Sequence, residues 1–243
     1  MTACASESAA APPHLAPPPL PDLLALPQLE LFKQDRRSTV WAVVDVRGRR
    51  WVIKRDNRGR TTQRLAARLG AHPVQRAALW HGRLIDAGLA VVPAFDLGHD
   101  GAGRRHQAAP YAGPTLYDVL QKDLGAPSAL RRELTRQAGR LIGQILALRV
   151  DCRGLKPSDL TVDGGNALRL VDAGRCRGAK GTPLLATALR TLTPLHRPTQ
   201  QPGPRDRFVA VGRTDRLRFF RAMLGAWDNP PDGLQHLLRH PDF

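Results

Sequence analysis

Aromatic side chains make up only 5% of the chain. That is too few to suggest stacking platforms for single-stranded nucleic acid, and no recognised nucleic-acid-binding motif occurs. Cysteine is equally scarce. Cys4, Cys152 and Cys176 form no Cys-x-x-Cys pair and have no histidine at metal-ligand spacing, which argues against a metal–cysteine site. An odd number without a framework fits a reducing cytoplasm. No uninterrupted apolar run approaches the roughly 20 residues needed to span a bilayer. Neither lysine nor arginine precedes Lys33, and prolines break the short apolar stretches before it, so no secretory signal is expected.

What the chain has in abundance is positive charge. Glu7, Asp22 and Glu30 give residues 1–30 a charge of −3 with no base; taking that from the net +16 leaves +19 on residues 31–243. Such a surface attracts polyanions: nucleic acid, acidic lipid or a phosphorylated glycolipid. Arginine dominates over lysine, so a coding bias toward arginine is an alternative source of part of that charge. With 42% hydrophobic residues in 243, the chain can bury a core for one domain or two small lobes sharing a cleft.

Residues 1–29 are rich in alanine and proline and are expected to be a disordered tail, since proline removes backbone donors and holds extended conformations. The leucine patch at 20–26 is the part of that tail with something to dock. From Ser38 the pattern turns strand-like. Two runs, 39–46 and 50–54, rich in β-branched and aromatic residues, flank Gly48 and predict a hairpin. Residues 74–87 predict a helix burying Ala77, Leu79, Trp80, Leu84 and Ile85 and closed by Gly88. Short strands are expected within 89–97 and at 105–109. The second half is mostly helical. Leu130, Leu134, Ala138, Leu141, Ile145 and Leu148 share one face of a long helix, with Ser128 as its expected cap. A strand at 168–171 and a last helix follow, the helix beginning with Thr214-Asp215 as cap and first turn and burying Leu217, Phe220 and Leu224.

Three segments carry a chemical pattern. Trp51-Val52-Ile53-Lys54 matches the Val-Ala-Ile-Lys strand of protein kinases, in which a strand lysine supplies charge for the ATP α- and β-phosphates. Cys152-Arg153-Gly154-Leu155-Lys156-Pro157-Ser158-Asp159 aligns with the kinase catalytic loop. Leu170-Val171-Asp172-Ala173-Gly174 resembles the Asp-Phe-Gly motif, whose aspartate holds Mg²⁺. Each match is weak alone; together they stand in the kinase order with compatible elements between them.

Further segments resemble the bacterial lipopolysaccharide (Kdo/heptose) kinases over roughly residues 31–226: Leu31 to Thr39, Leu79 to Gly88, and Arg213 to Ala222. The resemblance implies an α+β, protein-kinase-like bilobal fold. It comprises a small β-rich N-lobe at 30–110 and a larger α-helical C-lobe at 111–243. It also implies an enzyme that uses ATP and Mg²⁺ to phosphorylate a sugar hydroxyl of a glycolipid, in the cytoplasm at the inner-membrane surface. By position, Lys54 and Asp172 would bind the nucleotide, Asp159 and Asp172 the metal, and Lys156 and Asp159 would act in catalysis.

The departures bear on activity. Gly154 stands where the catalytic aspartate belongs, and Asp159 replaces the metal-binding asparagine. Residues 74–85 contain no acid to pair with Lys54, Asp86 coming only at the helix end, and no glycine lies between residues 30 and 47 to cover phosphates. Asp151 and Asp159 are the nearby carboxylates that remain for a relocated base. The alternative is therefore a pseudokinase, a non-catalytic nucleotide- or partner-binding protein at an acidic membrane surface.

Overall fold

Alternation in two runs of sequence builds the first half of the molecule. In the computed structural model, which describes residues 16–57, 72–122, 128–152, 155–179, 185–188, 191–192 and 212–234, this half contains α1 (Leu20–Ala25), β1 (Glu30–Gln34), β2 (Ser38–Val44), β3 (Arg50–Asp56), α2 (Pro73–Asp86), β4 (Phe95–His99) and β5 (Arg105–Pro110). The strands form one antiparallel sheet in the order β1-β2-β3-β5-β4. The predicted hairpin is β2–β3, with Val40 opposite Lys54, Trp41 opposite Ile53 and Val43 opposite Trp51. Gly48 takes φ +73° in its turn, a conformation that glycine adopts without strain.

The period of two assigns the faces. Trp41, Val43, Trp51, Ile53 and Ala108 are buried on one side together with Leu23 of α1, and Leu26, Phe95 and Leu97 pack at the margin. This corrects the reading of residues 1–29 as a tail. Residues 1–15 lie outside the described residues, but from Leu20 the chain is helical and Leu23 is fully buried in the sheet's core. The opposite face carries Val40, Val52 and Lys54, all only half-buried.

Helix α2 follows the predicted range with a shifted face: Val74, Ala77, Trp80, His81 and Leu84 are buried, while Leu79 and Ile85 are exposed. His72 sits at its start, accepting the Val74 N–H on Nδ1 at 3.2 Å, with Nε2 3.8 Å from the Asp56 carboxylate. Burial pushes this imidazole's pKa down against the opposing pull of Asp56. The strand expected within 89–97 begins only at Phe95.

The chain divides into two compact units. One is Met1–Arg83 with Val92–Tyr111, and the other is Leu84–Val91 with Ala112–Phe243. Residues 84–91, assigned from sequence to the first lobe, thus belong to the second unit. There Val91 bridges to Leu170, and the Leu170 N–H donates to the Ala90 carbonyl at 2.9 Å.

The second unit also contains α3 (Leu116–Lys122), α4 (Ser128–Ala147), β6 (Val150–Cys152), β7 (Leu160–Val162), β8 (Leu168–Leu170), β9 (Cys176–Gly178) and α5 (Arg213–Gly225). β6 pairs with β9 and β7 with β8, both antiparallel. Leu134, Ala138, Leu141 and Ile145 of α4 are buried as expected, and Leu148, just past its end, is exposed. Against α4 lies α5, whose buried side is Asp215, Phe220 and Met223 rather than Leu217, which is 44% exposed. The cap is displaced to Gly212, while Asp215 lies in the first turn as expected and pairs with Arg131 and Arg218 at 2.9 and 2.7 Å. The fold is mixed α+β. Among the described residues no helix is long and apolar enough to cross a membrane.

Candidate functional site

Lys54, itself half-buried, stands mid-sheet in the first unit, in a cross-strand row with half-buried Val40 and buried Gln107. The adjacent row on the same face is small and apolar: Ala42, Val52 and Ala109 are register partners. One row further along, the Arg50 guanidinium lies 3.9 Å over the Tyr111 ring and 5.9 Å over that of Phe32. The two rings are nearly parallel with centroids 6.4 Å apart, and Arg50 also pairs with Glu30. From Tyr111 to Lys54 the face therefore runs from an aromatic pair overlaid by Arg50 through small apolar residues to a lysine.

The second unit brings the backbones of two motif segments together. Residues 157–159 form a single 3₁₀ turn. Its geometry is fixed by Asp159, whose Oδ2 accepts the Lys156 N–H at 2.9 Å while its own N–H donates to the Lys156 carbonyl at 2.9 Å. Leu160 pairs with Leu170 across β7 and β8, and the Val171 N–H donates to the Asp159 carbonyl at 2.9 Å. Asp159 is thereby backbone partner to the residue preceding Asp172. Asp172 in turn accepts the Gly174 N–H on Oδ1 at 2.9 Å. Both aspartates are half-buried, and Lys156 is exposed.

Lys54 belongs to the first unit, and Lys156, Asp159 and Asp172 to the second. Gly154 lies outside the described residues. Asp86 ends α2 as an exposed residue, so the helix carries no buried acid. Asp151 is buried in β6 opposite Arg177.

Among the described residues no three His, Cys, Asp or Glu side chains gather as a metal cluster.

Three features were missed in the sequence. Cys152 and Cys176 are joined by a disulfide with Cα atoms 4.3 Å apart. These two cysteines are therefore paired, not the unpaired thiols expected of a reducing compartment. The bond ties the strand entering the Lys156–Asp159 loop to the strand leaving Asp172, and the two cysteines' flanking of both motif segments was the available signal. The Arg50–Tyr111–Phe32 stack was the second, and no local pattern announces it because its members come from three separate segments: the middle of β1, the start of β3 and the residue after β5. The third is a set of exposed arginines, Arg149, Arg175 and Arg177, on and beside the β6–β9 ribbon. They have no acidic partner among the described residues. Arg149 holds φ +55°, unusual for a non-glycine residue.

No family model matches the chain, and no curated protein matches it.

Proposed function

We propose that this chain is a divergent kinase-like phosphotransferase, similar to the lipopolysaccharide kinases. In this reading the sheet unit is the small lobe of a bilobal kinase-like fold and the helical unit the large one. The enzyme binds Mg-ATP and phosphorylates a sugar hydroxyl of an anionic glycolipid at the cytoplasmic face of the inner membrane.

The observation that supports the reading is the hydrogen bond from the Val171 amide to the Asp159 carbonyl, which lays the two motif segments side by side at the open end of the β7–β8 hairpin. The side chains of Asp159 and Asp172 would hold Mg²⁺, and Lys54 would offset the charge of the α- and β-phosphates. Lys156 would face the negative charge that spreads over the phosphate oxygens during transfer. ATP supplies the γ-phosphoryl group. With Gly154 in place of the aspartate that takes the acceptor's proton, turnover is slow, because general-base help is typically worth about 10²–10⁴-fold.

The test is Mg-ATP binding by calorimetry and thermal shift on wild type, Lys54→Ala and Asp172→Ala, followed by phosphate transfer to a glycolipid acceptor. Wild type should bind weakly and both variants more weakly. Indistinguishable behaviour of all three at millimolar Mg-ATP would remove the proposed site.

A second reading, a pseudokinase docked on an acidic membrane, is favoured by two observations. Helix α2 has no acid before the exposed Asp86, and Arg149, Arg175 and Arg177 are exposed cations without acidic partners among the described residues. Co-sedimentation with anionic vesicles at low and high salt tests it, since screening shortens to about 8 Å at physiological ionic strength. Equal binding to neutral vesicles would sink the electrostatic account.

A further inference from the structure

The turn between β1 and β2 is closed from within. Asp35 Oδ1 accepts the backbone N–H groups of Arg37 and Ser38, each at 2.7 Å, and the Asp35 N–H donates to the Ser38 carbonyl at 3.0 Å. Asn57, just past β3, braces the same turn: its N–H donates to the Arg37 carbonyl at 3.0 Å and its side-chain amide to the Asp35 carbonyl at 2.7 Å. The Asp35 carboxyl is held at about 2, chiefly by the Ser38 amide, with burial opposing and the Arg37 amide and nearby Lys33 assisting. It is therefore ionised at neutral pH, and the two amides stay occupied.

A glycine-rich turn grips phosphates by presenting free backbone amides. This turn has no glycine and has already committed the amides of Arg37 and Ser38 to its own carboxylate. What it offers outward are the side chains of Arg36 and Arg37, both exposed and neither ion-paired among the described residues. Lys33, by contrast, is engaged with Asp35 at 3.1 Å. The turn also lies at the cationic end of the face. Ser38 pairs with Asp56 and Val40 with Lys54, so the turn starts two residues, about 7 Å, beyond the Lys54 row.

We propose that Arg36 and Arg37 form a side-chain clamp for the terminal phosphates of a nucleoside triphosphate, replacing the amide cradle that Asp35 has closed. The clamp rests on the nucleotide-binding reading above. A guanidinium suits the task because its planar donors can pair two-fold with phosphate oxygens. Asp35 and Asn57 would act as positioning residues that keep both side chains at the rim.

The experiment titrates the full chain with Mg-ATP, inorganic tripolyphosphate and adenosine. The proteins compared are wild type, Lys54→Ala, the double variant Arg36→Gln/Arg37→Gln, and a control, Arg213→Gln/Arg221→Gln, which removes two exposed charges from α5. The clamp variant should lose about tenfold or more in affinity for Mg-ATP and tripolyphosphate. It should keep its affinity for adenosine and its melting midpoint, and the control should stay within about twofold of wild type. Wild-type affinity for Mg-ATP in the clamp variant, with a loss in Lys54→Ala, overturns the clamp and leaves the nucleotide reading standing. Equal losses in the clamp variant and the control assign the effect to net charge and also overturn the clamp. A wild-type protein that binds neither Mg-ATP nor tripolyphosphate overturns both.

Discussion

The carbonyl oxygen of Phe219 occupies the space that a side chain at Gly139 would need: a Cβ built there would lie 2.3 Å from it. One turn on, a Cβ at Gly143 would lie 2.2 Å from the Met223 carbonyl oxygen. The two glycines thus set how closely α4 and α5 approach.

Gly139→Ala and Gly143→Ala are each expected to destabilise the protein. Alanine gains up to about 1 kcal/mol in helix propensity over glycine, but overpacking against backbone costs about 1–3 kcal/mol or more. Gly82 in α2 supplies the contrast, since nothing lies within 4 Å of its would-be Cβ, and Gly82→Ala should stabilise by about 0.5–1 kcal/mol. Urea denaturation of the three variants reads both signs; a stabilised Gly139→Ala would refute the close-packing account.

Asp45 links stability to pH. Burial pushes its carboxyl up, but the Trp51 indole N–H, the Arg49 amide and guanidinium and the Arg47 amide outweigh burial and hold it at about 2. A depressed carboxylate stabilises fully above its unfolded pKa of about 3.9, and that contribution fades as pH falls toward 2. The shift corresponds to about 2 kcal/mol. Asp45→Asn should lose about that much at pH 6 and show a shallower decline in stability between pH 5 and 2.5. Identical acid slopes in variant and wild type would mean that Asp45 is not the group responsible.

The Cys152–Cys176 bond closes a loop with a sequence separation of 24, for which chain entropy gives about 3 kcal/mol of stabilisation. A reductant such as dithiothreitol should lower the wild-type melting midpoint and leave Cys152→Ser/Cys176→Ser, already lower, unmoved. An insensitive wild type under conditions that demonstrably free both thiols would contradict this contribution.

Gly154→Asp tests whether only the base is missing. It would place a carboxylate five residues before Asp159 in sequence. If the chain is a kinase otherwise intact, phosphate transfer should rise by up to about 10²–10⁴-fold, less about 1–3 kcal/mol of strain if residue 154 holds positive φ. Asp172→Ala provides the blank. A folded, ATP-binding Gly154→Asp no faster than wild type would favour the pseudokinase reading.

Much of this architecture is legible locally. The β2–β3 hairpin follows from alternation around Gly48, and four of the six residues placed on the apolar face of the α4 region are buried because helical spacing fixes them. The adjacency of the Asp159 and Asp172 segments is legible only in part. Pattern suggests the strand at 168–171, whereas β7 and the 160/170 register depend on side chains meeting across the hairpin. The failures share one cause. Prolines around Leu20 favour a tail by local preference, yet burying Leu23 against Trp41 and Trp51 repays the ordering of one helical turn and a half. Leu217 has the right spacing for burial in α5, but Arg131 and Asp215 orient the helix so that Phe220 and Met223 face inward. Cys152 and Cys176 meet through the β6–β9 pairing, which neither cysteine's neighbours encode.

The assignment of residues 84–91 to the second unit has a consequence for how the protein can be made. A nascent chain emerging in order has delivered every residue of the sheet unit once Tyr111 is out. The Ala90 carbonyl and Val91, however, must wait for Leu170 to be synthesised before they find their partners. For the same reason, two polypeptides split between Tyr111 and Ala112 would not each carry one unit. The N-terminal piece would keep 84–91, and the C-terminal piece would start life with the Leu170 amide missing its acceptor.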